Sequence, residues 1–257
     1  GVRAMARKHA IVRRLPAIET LGAVSVICTD KTGTLTRNEM VVRAVWTAGQ
    51  SYDVSGEGYS PTGALSPRPQ PSETAPLHAF ATTAALCNDS RLLKQPTGWA
   101  LTGDPMEGAL LALAGKVLPD LDALRTAHTR LDVLPFDSRH RLMVTRNRDG
   151  DSEVLHVKGA PEAITMLCSD MLNADGSAIP IDRREIRAVT DRFAARGMRV
   201  LALATLKNAT ETELGPEALS GHLTFIGLAG LADPPRPEAI RAVGECRAAG
   251  IQGKMIT

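Results

Sequence analysis

The chain has 257 residues, of which 44% are apolar and 3% aromatic, and its formal net charge is +2. This length suits one large domain or two ordinary ones, and the apolar content supports a sizeable core. Because the charge is nearly balanced and no basic residues alternate with stacking aromatics, we expect no nucleic-acid partner.

The chain opens with the basic stretch GVRAMARKHAIVRRLP, which ends at Pro16. Its lysine and arginines fit a solvated helix face, and they also fit the cytoplasmic end of a helix that leaves a membrane, where such residues accumulate. No uninterrupted apolar run approaches the roughly 20 residues that a spanning helix needs, and no signal peptide is present. We therefore expect the chain as given to be soluble.

The first predicted strand runs from Ala23 to Ile27, a short β-branched run typical of a buried strand in a parallel sheet. A polar sequence follows, which puts Asp30 at the carboxyl end of the strand, where open α/β sheets bind ligands. An ionised carboxylate can attack phosphorus without a general base. Lys31, Thr32 and Thr34 are suited to neutralising phosphate charge, with Mg²⁺ bridging carboxylate and phosphate. The alternative is a strand-to-loop turn in which these side chains satisfy only backbone groups.

The middle of the chain has a mixed pattern, with strands that we expect to be antiparallel. Capping pairs are predicted at Asp104 with Glu107 and at Asp182 with Glu185, because each places an acceptor at a helix start and a glutamate three residues later. The other predictions are a loop over 60–76, helices over 77–87, 106–118, 161–168 and 182–196, a hairpin of strands 141–147 and 153–157, and strands over 199–205 and 222–231.

From Asp233 the α/β pattern returns, with a proline-led helix followed by the strand IQGKMIT. Two parallel-type stretches, 20–36 and 233–257, therefore bracket an insertion that is long enough to fold as its own domain. Gly253 inside the last strand weakens that strand, because it has no side chain to pack. The four cysteines form no CxxC pair, which favours reduced thiols in a cytosolic setting.

The sequence DKTGTLT, which begins at Asp30, resembles the phosphorylation motif of P-type ATPases, ion pumps that form an aspartyl-phosphate. The sequences TGDPMEGAL, KGAPE and DPPRPE resemble further motifs of this family in the same order. The resemblance implies an α/β fold with two domains. An incomplete haloacid-dehalogenase-like phosphorylation domain, with a parallel sheet, comprises 20–36 and 233–257. It brackets an α+β nucleotide-binding domain, with an antiparallel sheet, over 37–232. Residues 1–19 resemble the stalk that joins a membrane helix to the phosphorylation domain.

The resemblance also implies the roles of the residues around the aspartate. Asp30 would be phosphorylated, Lys31 would be its charge partner, and Thr34 would contact the phosphate. Asp30 and the carbonyl of Thr32 would be ligands of Mg²⁺. Related phosphatases have an aspartate as general acid at the position of Thr32, and threonine cannot donate a proton in that way. A slowly hydrolysed acyl-phosphate therefore suits a pump better than a phosphatase.

The family's ATP pocket would be lined by residues of the insertion. Phe136 matches the phenylalanine that stacks on adenine, although a place in the apolar core is the alternative. Lys158 and Gly159 of the KGAPE sequence would form the pocket floor, with an ordinary strand-end lysine as the alternative. Arg199 matches an arginine on the phosphate side, and a solvated strand end would also explain it.

Five further residues belong to the expected nucleotide site. Arg141 lies where many members have lysine, so the phosphate contact differs in geometry, and Met143 lies where they have methionine. Glu107 matches a pocket residue, but the capping pair already explains a glutamate there. Asp233 matches a hinge residue near the nucleotide, although a proline-rich loop also accounts for it. Thr257 resembles the threonine of the family's Thr-Gly-Asp sequence.

The sequence ends before that Gly-Asp, the distal lysine and the second magnesium-binding aspartate. We therefore expect a fragment that binds ATP weakly and forms little phospho-Asp30. Its partners would be ATP, a transported cation and the pump's own transmembrane and actuator domains, at the cytoplasmic face of a membrane, most simply the plasma membrane. LCNDS and GEGYSPTG are most similar to pumps for Ca²⁺ and similar cations. The alternatives are a stand-alone nucleotide-binding regulatory module and a dehalogenase-type phosphatase.

Overall fold

The computed structural model describes residues 2–7, 9–10, 20–96, 98–210 and 212–256. The chain separates into two compact units, one formed by Gly1–Asn38 with Asp233–Thr257 and the other by Glu39–Ala232. Most of the predicted stalk segment 1–19, together with Thr257, lies outside the described residues. Within the described part, no helix has both the length and the apolar composition needed to cross a bilayer.

The described chain contains helices and strands in a mixed order. The helices are α1 Val2–Arg7, α2 Thr74–Leu86, α3 Pro105–Val117, α4 Leu121–Ala127, α5 Pro161–Leu167, α6 Arg183–Ala195, α7 Pro216–Leu219 and α8 Pro237–Ala248. The strands are β1 Val26–Asp30, β2 Val41–Thr47, β3 Gln50–Val54, β4 Leu65–Ser66, β5 Arg91–Gln95, β6 Gly98–Thr102, β7 Arg130–Asp137, β8 Leu142–Asp149, β9 Ser152–Gly159, β10 Cys168–Leu172, β11 Ala178–Pro180, β12 Arg199–Lys207, β13 Leu223–Ala232 and β14 Gln252–Ile256.

The smaller unit contains a parallel pair of strands, β1 and β14, whose register runs from Val26 opposite Gln252 to Asp30 opposite Ile256. The prediction of a parallel strand before the polar sequence is confirmed, but the strand begins three residues later than expected. The prediction that it is buried is wrong, since Val26 and Ile27 are each 40% exposed. The physical reason is that no third strand joins this pair among the described residues.

The larger unit is built on a 10-stranded sheet in which the order β4-β3-β2-β13-β12-β9-β8-β7 forms the main path and β10 and β11 lie off it. All pairings along the main path are antiparallel, as the sequence predicted, while β10 pairs with β13 in parallel. The chain enters on β2 and leaves on β13, which are neighbours: Val41 lies opposite Ala232. A separate hairpin is formed by β5 and β6.

Helices cover both faces of the large sheet, which gives it two apolar cores. On one face, α2 and α3 pack Phe80 and Leu110 against strand residues such as Val45. On the other face, α5 and α6 pack Ile164 and Phe193 against the sheet. The sheet is therefore buried on both sides, as its long apolar strands require.

Local sequence explains most of the element ends. The predicted hairpin of β8 and β9 is confirmed: Asp149 pairs with Ser152 across a two-residue turn, and Gly150 has a φ of +60°. Asp182 caps α6 by accepting hydrogen bonds from the amides of Arg184 and Glu185. The prediction of a plain loop over 60–76 is wrong in part, because it contains β4 and the first turn of α2.

Candidate functional site

Asp30 lies at the end of β1, where the chain leaves the strand and turns sharply. Its carboxylate is exposed and accepts a hydrogen bond from the amide of Thr32 at 3.3 Å. Gly33 follows with a φ of +74°, a backbone conformation that side-chain-bearing residues rarely adopt. Lys31, Thr32 and Thr34 are exposed around the same turn. The four predicted catalytic residues thus lie together on one open loop.

A short segment after β13 holds this loop in place. The hydroxyl of Thr36 donates to Asp233 Oδ2 at 2.6 Å and accepts from the amide of Gly33 at 3.2 Å. Arg236 donates from Nε to the carbonyl of Thr36 at 2.9 Å, and its amide donates to the carbonyl of Leu35 at 2.8 Å. Asp233 therefore supports the loop that carries Asp30. Sequence reasoning missed Thr36 and Arg236, although both lie in or beside the quoted motifs.

The loop offers oxygen ligands suited to Mg²⁺. The described residues contain no group of three or more histidine, cysteine or acidic side chains that could enclose a metal ion. Mg²⁺ usually keeps several waters and takes one or two protein oxygens together with substrate phosphates. An exposed carboxylate with a neighbouring backbone carbonyl, as at Asp30 and Thr32, fits that mode of binding.

Lys158 and Glu107 form a buried ion pair at one end of the large sheet. Their side chains are 8% and 13% exposed. Lys158 Nζ donates to Glu107 Oε1 and to the carbonyl of Cys87, the latter at 2.7 Å. Glu107 Oε2 accepts from the amide of Asp89 at 3.0 Å and from the hydroxyl of Ser90 at 2.9 Å. Both charges are therefore compensated by an opposite charge and by further polar groups.

The capping prediction for Glu107 is only half right. Asp104 caps α3 as expected, since its carboxylate accepts from the amides of Met106 and Glu107 at 2.8 and 3.1 Å. The carboxylate of Glu107 is directed to Lys158 and the loop after α2, however, and not back to the start of its own helix. The glutamate is thus the partner of Lys158, and the cap positions the helix start that carries it.

The ends of four strands bring several of the expected nucleotide residues together. Across the sheet, Asp137 of β7 lies opposite Leu142, Leu142 lies opposite Gly159, and Gly159 lies opposite Ala202. Phe136 precedes Asp137 and is 63% exposed, so its alternative place in the apolar core is wrong. An exposed aromatic ring beside this row is available to a ligand.

Gly159 allows two strands to approach closely in this row. A Cβ atom at Gly159 would lie 2.4 Å from the carbonyl oxygen of Arg141, so a side chain does not fit. Arg141 has a φ of +54°, and its guanidinium pairs with Glu162 at the start of α5. Met143 lies opposite Lys158 and is 2% exposed, so it supports the lysine from within the sheet.

Arg199 begins β12, three residues before Ala202, and is exposed. Its guanidinium donates to the sulfur of Met106 at 3.2 Å, and Met106 immediately precedes Glu107 in α3. The arginine therefore reaches toward the helix start that carries the buried ion pair.

Burial and hydrogen bonds set the charge of two groups near these residues. The guanidinium of Arg139 donates to Asp137, which lowers the pKa of that exposed carboxyl to about 2 and keeps it ionised. Burial raises the pKa of the Cys87 thiol to about 11, and the nearby charge of Lys158 opposes this shift only in part. Cys87 therefore stays protonated at neutral pH and contributes to the site through its carbonyl.

The loop from Cys87 to Ser90 is a further part of the candidate site that sequence reasoning did not identify. It supplies a carbonyl, an amide and a hydroxyl to the Lys158 and Glu107 pair. The signal was an Asn-Asp-Ser run directly after an apolar helix, residue types that fold back on neighbouring backbone groups.

Comparison with known proteins identifies the family to which the chain belongs. The family described as P-type ATPase, cytoplasmic domain N, matches residues 76–238, which is more than half of the chain. The chain belongs to this family.

Curated relatives match along the whole chain. It is 44% identical to the cation-transporting ATPase pma1 of Synechocystis over 100% of this chain and 29% of that protein. It is 38% identical to the calcium-transporting ATPase of Bacillus subtilis, covering 30% of it, and 37% identical to the mouse calcium-transporting ATPase type 2C member 1, covering 27% of it. The chain thus spans less than a third of the length of these relatives.

Proposed function

We propose that this chain is the ATP-binding and phosphorylation portion of an ATP-driven cation pump, and that Asp30 accepts the γ-phosphate of MgATP. The observation that carries this proposal is the exposed carboxylate of Asp30 at the end of β1, within the DKTGTLT sequence of a chain that belongs to a P-type ATPase family. Exposure leaves this nucleophile open to a phosphate donor.

We assign the phosphorylation domain, of the haloacid-dehalogenase type, to 20–36 and 233–257. Two observations support this assignment: β1 pairs with β14 in parallel, and Asp233 and Arg236 are hydrogen-bonded to Thr36 in the loop after β1. We assign the nucleotide-binding domain to 37–232, supported by the separate large sheet and by the family match, which begins at residue 76 and continues to residue 238.

In this proposal the adenine ring stacks on Phe136, whose exposed ring is otherwise costly to leave in water. We assign Lys158 to the adenine and Arg199 to the phosphates. Glu107 and the loop after α2 fix the ammonium of Lys158. Arg141 is a less direct contact, because its guanidinium is paired with Glu162.

The reaction at Asp30 is an in-line displacement. A carboxylate oxygen of Asp30 forms a bond to the γ-phosphorus as the bond from phosphorus to the β,γ-bridging oxygen breaks, and ADP leaves with that oxygen. Lys31 and the hydroxyl of Thr34 stabilise the charge on the transferring group. When bound, Mg²⁺ would add charge neutralisation between the carboxylate and the phosphates. Thr32 offers no general acid, so the acyl-phosphate persists.

The transported ion is proposed to be Ca²⁺ or a similar cation. Two of the relatives above are named calcium-transporting ATPases, and a third is named a cation-transporting ATPase. In the whole pump, the chain would work at the cytoplasmic face of a membrane, the plasma membrane in the simplest case, together with transmembrane and actuator domains.

Labelling of the full-length product of the gene with ATP that carries a labelled γ-phosphate tests the role of Asp30. We expect an acid-stable, hydroxylamine-sensitive label in the parent protein and none in Asp30→Asn. Asp151→Asn, in the exposed turn between β8 and β9, is the matched control and should keep the label. A label of unchanged amount in Asp30→Asn would refute the proposal.

Titration of the 257-residue chain with ATP tests the nucleotide site separately. Base stacking on an aromatic side chain contributes about 1–3 kcal/mol, so Phe136→Ala should weaken binding by roughly fivefold or more. Met166→Ala removes a side chain that is 75% exposed on α5 and serves as the control. Equal affinities of the Phe136 variant and the parent would contradict the stacking role.

A further inference from the structure

A cavity of about 310 Å³ lies near the start of β7, at the opposite end of this strand from Phe136. The polar side chains that line it include Asn88, Arg91, Arg125, His128, Arg130 and Asn147. These residues come from five places in the fold: the loop after α2, the first residue of β5, helix α4 and its end, the start of β7, and the part of β8 that pairs with the start of β7. The proposed nucleotide role uses none of these six side chains.

Two of the three arginines in this cavity are held in place by backbone carbonyls. Arg125 donates from Nη2 to the carbonyls of Ala85 and Ser90 at 3.3 and 3.1 Å. Arg130 donates from Nη2 to the carbonyls of Leu86 and Asn88 at 3.0 and 2.7 Å. Carbonyl groups orient a guanidinium without removing its positive charge, so both charges remain directed at the cavity.

The side chains that line the cavity carry more positive than negative charge. Asp89 is the acidic side chain among its lining residues, and it pairs with Arg130. The guanidinium of Arg91 makes no hydrogen bond or ion pair within the described part of the chain. Burial and, after it, the charges of Arg91 and Arg130 lower the pKa of Arg125, while the nearby carboxylates of Asp122 and Glu107 oppose this shift in part. Among the arginines and acidic residues of the lining, three guanidiniums against one carboxylate give a net charge of +2.

Asn147 adds an acceptor to this cationic cavity. The residue is 2% exposed, and its side-chain amide donates to the carbonyl of His128 at 3.0 Å. Its Oδ1 atom is buried and has no partner among the described residues. A buried acceptor without a partner costs free energy, so a ligand that supplies a hydrogen-bond donor here would be favoured.

We propose that this cavity binds a small phosphate-bearing dianion, of which monohydrogen phosphate is the simplest example. The two negative charges match the net charge of the lining side chains, and guanidiniums bind phosphate oxygens through paired N–H groups. The hydroxyl of monohydrogen phosphate can donate to Asn147 Oδ1, whereas sulfate has no proton to give. The cavity also has room for a phosphomonoester with hydroxyl groups of its own.

Titration of the 257-residue chain with inorganic phosphate at neutral pH, with ionic strength held constant by sodium chloride, tests the proposal. Arg91→Gln removes one charge without breaking a hydrogen bond or an ion pair of the described residues. A charge-assisted hydrogen bond justifies an expected loss of roughly tenfold in affinity. Arg184→Gln removes the same charge from the exposed side of α6 and should leave phosphate binding unchanged. Equal affinities of the two variants, or no phosphate binding to the parent chain, would overturn the proposal.

Competing anions test the donor to Asn147 and the source of the phosphate group. Phosphate should bind several-fold more tightly than sulfate, because only phosphate pairs the buried acceptor. Sulfate binding that equals or exceeds phosphate binding would overturn the assignment of a protonated ligand. Tighter binding of glycerol phosphate than of inorganic phosphate supports a phosphomonoester as the ligand, and the reverse order supports the free ion. Because ATP is absent from these titrations, their failure leaves the proposed pump function standing.

Discussion

The buried pair of Lys158 and Glu107 allows a quantitative test of how this end of the large sheet is held together. Glu107→Gln removes the negative charge but keeps an acceptor for the amide of Asp89 and the hydroxyl of Ser90. Removing one partner of a buried ion pair costs about 3–5 kcal/mol, because the other charge stays buried without compensation. The carbonyl of Cys87 still binds Lys158 Nζ, so we expect a loss near the lower value, about 3 kcal/mol.

The reciprocal variant and the double variant complete a thermodynamic cycle. Lys158→Met leaves the carboxylate with two neutral donors, and we expect it also to cost about 3 kcal/mol. The double variant Lys158→Met with Glu107→Gln leaves no buried charge at this position. Its total loss should therefore be about 3 kcal/mol instead of the roughly 6 kcal/mol that independent effects would give.

Urea unfolding followed by tryptophan fluorescence measures these losses. The chain has two tryptophans, and a Trp99→Phe background leaves Trp46, which is 1% exposed in the same large sheet. The matched control is the cycle for Arg196 and Asp53, an ion pair whose side chains are 53% and 67% exposed, where coupling should stay within about 1 kcal/mol. If the losses for the Lys158 and Glu107 variants add to within about 0.5 kcal/mol, the reasoning is refuted.

Three further predictions concern the described fold. Burial and the charge of His128 lower the pKa of His156 to about 3. The contribution of neutral His156 to stability is therefore complete above about pH 6.5 and falls by about 1.4 kcal/mol per pH unit as the pH drops from there toward about 3. His156→Gln should reduce this pH-dependent loss, as measured by urea midpoints at neutral pH and at about pH 5. Asp104→Ala should cost about 1 kcal/mol by removing the cap of α3, and equal urea midpoints for variant and parent would contradict this. Thr36→Val removes the hydroxyl that donates to Asp233 and accepts from the amide of Gly33, so it should speed amide hydrogen exchange at Gly33. Unchanged exchange would show that these two hydrogen bonds do not hold the loop.

Elements with strong local signals could be predicted from the sequence. The Asp-Gly turn and its alternating strands gave β8 and β9 to within two residues at each outer end. Asp182 and Asp104 marked helix starts because their carboxylates satisfy amides that have no partner within the helix. Elements without such signals, including the hairpin of β5 and β6 and helix α4, were missed, since short segments of ordinary composition depend on tertiary contacts for their structure.

The candidate site also has a part that local sequence could predict and a part that it could not. The aspartate and its neighbours form one contiguous sequence, so a loop carrying them was predictable from the motif alone. The partner of Lys158 could not be assigned from local rules, because a helix cap already accounted for a glutamate at position 107 and nothing local indicated contact with a residue 51 positions away. Likewise, the cationic cavity combines residues from five elements, none of which forms a motif by itself.

The neighbouring positions of Val41 and Ala232 have a practical consequence for engineering. Adjacent strands lie about 4.8 Å apart, so the first and last strands of the larger unit begin and end almost side by side. A few glycine and serine residues would be enough to join them, which makes this unit a natural subject for circular permutation or for transplantation into the surface loop of an unrelated host protein.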